Sequence, residues 1–337
     1  MIITRTPLRV SFFGGGTDFP EFFEEEGGAV VSSAVNFYSY QVVTEFPSQL
    51  FDHVIRLSYS RGELVKSVDE IQHPVFRACL RHCGLERDIE IHVATDLPAF
   101  TGLGSSSSFM VGLLHALHAF KGEQVLPSLL AEEAIQLERD VLAECIGCQD
   151  QTAAAHGGFN LIEFRRDAGP RVTNLAISAR NIELLQSHLL LVFTRLKRRA
   201  QDVERTKLWA MRGDRAILRE LKQQAHVATA LFESRQDLDL RGLAELLEEA
   251  WTLKKRLSPL VTSPEIDEYY ERARQAGAIG GKLLGAGGGG FLLLLAPAET
   301  HDRIRAAFPG HFTTTIELGV RGSEVIFPGP TVGGGRR

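Results

Sequence analysis

Cysteine is scarce in this chain, with four in 337 residues. That scarcity excludes a disulfide-framed secreted scaffold and points to a reducing, cytoplasmic setting. Cys145 and Cys148 form a CxxC, and Cys79 and Cys83 a CxxxC. A zinc ion would have to join the pairs across a long gap, and no strand feeds the CxxC as in redox motifs, so buried thiols are expected. Positive charge is not in excess either: 37 Lys and Arg face 42 Asp and Glu, for a net charge of -5 and a pI near 6.1. No basic face for a phosphodiester backbone follows, so nucleic acid is not expected as a partner. Long hydrophobic runs are missing as well. Residues 291–296 (FLLLLA) stop at Pro297, far short of the roughly 20 needed to cross a bilayer, so no membrane partner is expected. The opening MIITRTPLRVSFFGGG has arginines among its apolar positions and no small-residue cleavage site, and does not read as a signal peptide.

What is there is an ordinary globular composition, 44% hydrophobic and 23% charged, over a length that suggests two domains. Residues 2–13, 29–46, 54–59 and 88–95 read as strands, the last alternating strictly through Ile89, Ile91 and Val93. Apolar residues from Phe109 to Phe120 recur at helical spacing, so a helix starts in the serines before them. A second helix follows Pro127-Ser128 and runs to about residue 144. Residues 158–164 and 189–194 are strands, 199–257 a long helical region and 264–276 another helix. Strands at 279–284, 291–296 and 311–327 complete the reading. The polar stretch at 165–180, with Gly169 and Pro170, marks the boundary. The expected class is α+β in two domains, residues 1–170 and 180–330.

Three glycine clusters stand out. In FTGLGSSSS a strand ends, the chain turns through Gly102, Leu103 and Gly104, and a helix opens at Ser105, Ser106, Ser107 and Ser108. Small residues there let backbone amides and a helix N-terminus converge on an anion, best a phosphate, and the hydroxyls could bind phosphate oxygens or a metal. The plainer alternative is a serine N-cap after a tight turn. No lysine follows, so it is no Walker loop. GAGGGG at 285–290 has the dinucleotide spacing, but it opens a strand rather than a helix, which rejects that fold. Five glycines in those six residues exceed a hairpin's needs and suggest close approach to a ligand or to the first domain. Gly14, Gly15, Gly16, Thr17 and Asp18 follow the strand that carries Arg9. Asp18 is either an Asx turn or an acceptor for sugar hydroxyls.

Among the acids, Glu138 by itself reads as a solvated helix residue. Asp150 lies in a segment short of charge, IGCQDQTAAAHGG, where a carboxylate is either a helix cap or a functional group with altered ionisation. His115 and His118 read as packing or surface, and no GxSxG elbow is present.

Taken together, PLRVSFFGGGTD, PAFTGLGSSSS and KLLGAGGGGF resemble the three ordered motifs of the GHMP small-molecule kinases, across residues 5 to 295. Within that family, TRTPLRVSFFGGGTDFPEF and IGCQDQ are most similar to the subgroup acting on D-glycero-D-manno-heptose 7-phosphate. The resemblance implies an N-terminal ribosomal-protein-like α/β domain, a ferredoxin-like C-terminal domain, and an active site in the cleft between them. It implies ATP, held by Gly102 to Ser108, and Mg²⁺, held by Ser106 and Glu138 as oxygen ligands. Asp150 would be the catalytic carboxylate, accepting or orienting the proton of the attacking hydroxyl with Arg9 holding it ionised, and Gly15, Gly16, Thr17, Asp18, Gly287 and Gly288 would face the sugar. The reaction implied is γ-phosphoryl transfer to an anomeric hydroxyl. Rivals are a kinase of an unphosphorylated sugar, of the fucose or galactose type, and a binding regulator on a dead scaffold, though the chain keeps Asp150, Glu138 and the serines. A homodimer stays open, and Arg195, Lys197, Arg198 and Arg199 either hold the substrate's 7-phosphate or are a solvated helix start.

Overall fold

A computed structural model of the chain describes residues 1–166, 168–196, 203, 206 and 215–329. Two sheets organise it. The larger is built on β1 (Ile2–Phe13) and the 18-residue β2 (Gly28–Glu45), paired antiparallel along almost their whole length. The other edge of β2 is shared: its first residues pair with β6 (Phe159–Arg165) and its last with β5 (Ile89–Thr95). The sheet therefore forks there, with β7 (Ala168–Asn174) beyond β6, and with β3 (Ile55–Ser58) and β4 (Gly62–Val65) beyond β5.

Helices α2 (Pro74–Cys83), α3 (Ser105–Phe120) and α4 (Pro127–Gln136) pack with β3 and β5 in one apolar core. Helix α3 lies against β1 and β2, which is why position 112 is glycine. A Cβ there would stand 2.1 Å from the Gln41 amide oxygen. Helix α5 (Gln149–His156) sits at its side, and α1 (Pro20–Glu26) follows the first glycine turn.

After α6 (Ala179–Ser187), the smaller sheet runs in the order β11 (Thr313–Thr314), β8 (Leu189–Phe193), β10 (Phe291–Leu295), β9 (Gly280–Leu283), all antiparallel. The FLLLL run is continuous because both of its faces are covered. Leu293 and Leu295 join the core that holds α7 (Ala216–Phe232) and α8 (Leu240–Leu257). Leu292 and Leu294 face α9 (Pro264–Gln275) and α10 (His301–Ala307). The two halves are joined by apolar packing: Phe12 and Phe159 meet Phe232 of α7 with ring centroids 5.8 and 4.9 Å apart.

The polar stretch at 165–180 holds the edge strand β7, where Pro170 costs no inner ladder bond, and α6 and β8 follow it. Some element readings are corrected. Residues 311–327 are not one strand: β11 joins the small sheet, and β12 (Glu324–Pro328) returns to pair with β1. The division at 180–330 is thus crossed at its end. The second helix leaves α-geometry at residue 136 and continues as a π-helical turn over Leu137–Val141. Within the helical region at 199–257, Val203 and Thr206 are helical and α7 and α8 follow, while residues 199–202 lie outside the described residues.

Candidate active site

Arg9 is the hub. Its backbone N–H donates to the Leu103 carbonyl at 3.0 Å, and its guanidinium Nη1 donates to the Gly102 carbonyl at 2.8 Å. Nε and Nη2 donate to the two oxygens of Asp150 at 2.8 and 2.7 Å. This two-toothed pairing fixes the plane of the carboxylate. Asp150 is in the first turn of α5, with its side chain 25% exposed against 6% for Arg9. The carboxylate thus shows an edge to solvent while its partner is closed in.

The serine-rich turn wraps over this pair. Gly102 and Gly104 have φ of +81° and +74°, where L side chains are strained. A Cβ on Gly104 would be 3.2 Å from both the Arg9 Cγ and Asp150 Oδ2. Leu103 is fully buried between them and anchors the turn. Gly104 itself is the N-cap of α3 and no side chain caps the helix, so the serine-cap alternative does not hold. The first amides of α3 are left for an outside acceptor, at the positive end of the helix dipole. Ser105 is half-buried and Ser106 exposed, whereas Ser107 and Ser108 are buried. The Ser108 hydroxyl donates to the Thr6 carbonyl at 3.1 Å.

Glu138 comes to the same place from the π-helical turn, a widened geometry often kept at functional positions. It is 1% exposed and accepts from the Ser107 hydroxyl at 2.9 Å and from the Gln151 amide. Burial pushes its carboxyl up to about 8, against the pull of the Gln151 and Ser107 donors. The serine at Glu138 is therefore Ser107; Ser106, which the family pattern selects, faces solvent. Among the described residues no three or more His, Cys, Asp or Glu cluster as a metal site, and Cys79, Cys83, Cys145 and Cys148 form no disulfide.

The first glycine turn is mostly architecture. Thr17 is fully buried, and its hydroxyl donates to the Gly14 carbonyl at 2.8 Å. Asp18, 1% exposed, accepts from the amides of Gly16 at 2.9 Å and Gln149 at 3.2 Å. These contacts lace the turn to the segment that delivers Asp150. Both side chains are enclosed and bonded within the fold. Gly15 and Gly16 are on the turn beside them.

The third cluster divides. A Cβ on Gly285 would be 2.6 Å from the Gly102 Cα, and one on Gly290 2.6 Å from the Thr101 carbonyl oxygen. Phe291 N–H donates to that same Thr101 carbonyl at 3.0 Å. These residues bring the small sheet onto the serine-rich turn. Gly287 and Gly288 pack instead on Val261, whose carbonyl accepts from Gly288 N–H at 2.8 Å. Sequence reading missed two buried lysines. Lys282 donates to the Phe12 carbonyl at 2.7 Å, and Lys254 to the Leu283 and Gly285 carbonyls. A lysine inside the apolar run of β9 was the available signal. Arg195 is exposed, while Lys197, Arg198 and Arg199 lie outside the described residues.

The pattern described as "GHMP kinases N terminal domain" matches residues 64–158, and "GHMP kinases C terminal" matches residues 228–314. A D-glycero-alpha-D-manno-heptose 7-phosphate kinase of Campylobacter jejuni is 29% identical over 317 residues, covering 90% of this chain and 92% of its own. A galactokinase of Streptomyces coelicolor is 27% identical over 76% of this chain and 73% of its own length. The crystal structure of a D-glycero-D-manno-heptose 1-phosphate kinase from Bacteroides thetaiotaomicron superposes with a TM-score of 0.77 at 23% identity, covering 96% of this chain and 98% of its own.

Proposed function

The chain belongs to the GHMP kinase family and is a kinase, and from that premise we propose that it transfers the γ-phosphoryl group of ATP to the anomeric hydroxyl of D-glycero-D-manno-heptose 7-phosphate. The product would be the 1,7-bisphosphate. One observation carries the reading: the Arg9–Asp150 fork lies against Gly104, at the mouth of a helix with no side-chain cap. An acid and a phosphate cradle at one point are what phosphoryl transfer to a hydroxyl requires.

The triphosphate would be held by the first amides of α3 and the hydroxyls of half-buried Ser105 and exposed Ser106. Asp150 would accept a hydrogen bond from the attacking hydroxyl and take its proton as the oxygen–phosphorus bond forms and the bond to the β-phosphate oxygen breaks, releasing ADP. Arg9 keeps the carboxylate in register with the turn through Gly102. Mg²⁺ fits the donors at Glu138: a carboxylate, the Ser107 hydroxyl, and the buried Gln151 amide oxygen, which has no partner among the described residues. Hard cations take oxygen donors of this kind, and the bound ion would neutralise charge on the phosphates. The carboxyl raised to about 8 by burial accords with a site that is complete only with a cation.

The test is ATP consumption over a panel of hexoses, heptoses and their phosphates. Turnover should be highest with the heptose 7-phosphate and low with hexoses. Preference for free fucose or galactose would replace the substrate assignment, and turnover with none would remove the sugar kinase reading.

A further inference from the structure

Gly15 sits between two glycines whose identity the backbone explains, and its own is unexplained by the fold. Gly14 and Gly16 have φ of +80° and +103°, and a Cβ on Gly14 would be 1.9 Å from the Ala29 carbonyl oxygen. Gly15 has no positive φ, and its Cβ would find only the Ser11 hydroxyl at 3.6 Å and the Gln149 Nε2 at 3.7 Å, ordinary contact distances. Alanine would fit the fold there, so the bare position keeps a space between those two side chains.

Both side chains are short of partners. Ser11 is 6% exposed, and its Oγ has no hydrogen bond among the described residues; the same holds for the buried Oε1 of Gln149. Ser32, opposite Ser11 in the β1–β2 ladder, also leaves its Oγ unpaired. Buried polar atoms left without partners are costly; the Ser11 Oγ and the Nε2 of the same Gln149 amide border the gap at Gly15, which calls for a polar ligand atom there. Gln149 precedes Asp150, and Ser11 is two residues from Arg9 on the same face of β1, about 7 Å along the strand.

We propose that Ser11, Gln149 and Gly15 form a notch that binds a second hydroxyl of the acceptor sugar, near the one phosphorylated, and so sets which sugars are accepted. The Gln149 Nε2, the amide atom beside the gap, donates to that hydroxyl's oxygen, and the Ser11 Oγ accepts from the hydroxyl. A neutral hydroxyl fits better than the substrate's phosphate, because the Asp18 carboxylate is adjacent, accepting from the Gln149 backbone N–H. This inference rests on the kinase reading above and names the specificity-determining residues of that site.

The test compares wild type with Ser11→Ala, Gln149→Met and Gly15→Ala on the best sugar of the panel and its monodeoxy analogues. Wild type should lose at least about tenfold in kcat/KM for one analogue, as sites built to bond a hydroxyl reject its absence. Each variant should lose at least about tenfold on the parent sugar yet differ little from wild type on that one analogue, with KM for ATP unchanged. Gly15→Ala should melt within about 2 °C of wild type while showing the same kinetic loss. Equal losses on every analogue, or none in any variant, overturn the notch. A wild type that phosphorylates no sugar overturns the kinase reading itself, and the notch with it.

Discussion

Gly285 and Gly102 meet backbone to backbone across the seam between the two sheets, so closely that a Cβ on Gly285 would stand 2.6 Å from the Gly102 Cα. Gly285 also has φ of +70°. Gly285→Ala therefore combines left-handed strain of about 1–2 kcal/mol with an overlap that neither backbone can relieve alone. The expected outcome is a lower melting temperature together with a KM for ATP raised at least about tenfold, since the turn forced aside is the phosphate cradle. Unchanged nucleotide binding in steady-state kinetics would detach this seam from the site.

The fork from Arg9 to Asp150 makes two variants informative. Asp150→Asn keeps the shape but loses the proton acceptor, and kcat should fall by about 10²–10⁴ while ADP binding, followed by calorimetry, stays intact. Arg9→Lys keeps charge but loses the planar fork and the bond to the Gly102 carbonyl, so it should weaken both kcat and nucleotide binding. Full activity in Asp150→Asn would show that another group takes the proton.

Glu138 is closed in with one hydroxyl and one amide donor. Glu138→Gln retains a similar shape without a charge to bury, so its melting temperature in EDTA should equal or exceed that of wild type. Its activity should nonetheless drop by about 10²-fold or more and demand more Mg²⁺, measured by titrating the metal at fixed ATP. A stable variant with an unchanged metal requirement would place the cation elsewhere.

The parts of the site that were legible in the sequence are those written in runs. The serines and glycines from Gly102 to Ser108 and the strand carrying Arg9 declare themselves because turn chemistry and alternation are local. Ser107 could not be separated from Ser106 in this way, since the choice depends on which hydroxyl the start of α3 turns toward Glu138. Asp18 reads either as an Asx turn or as an acceptor for sugar hydroxyls, and only the packing of Gly147 and Gln149 against it reveals that it is enclosed. Strand β12 was misplaced for a related reason: nothing in EVIFP says which of two sheets has a free edge, and β1 offers one. Lys282 and Lys254 are held by carbonyls distant in sequence.

Away from the site, His118 on α3 offers a check on the fold by pH. Its ring nitrogens lie 2.8 Å from a Glu133 oxygen on α4 and 2.6 Å from one of Glu123. His82 of α2 lies 3.4 Å from Glu133, and Lys121 pairs with Glu123. The bond to Glu133 raises the His118 pKa above its ordinary 6.5, outweighing burial, with Glu123 adding to it. Because the folded value is raised, the stabilisation is full below the unfolded pKa near 6.5 and is lost as pH climbs through the folded one. His118→Gln should therefore cost about 1.5–3 kcal/mol at pH 6, the scale of a hydrogen bond to a charged group. The gap in melting temperature between wild type and variant should narrow steadily towards pH 9. A gap that stays constant or widens over that range would mean that the ring is held neutral by its surroundings, and that α3 and α4 are joined there by packing alone.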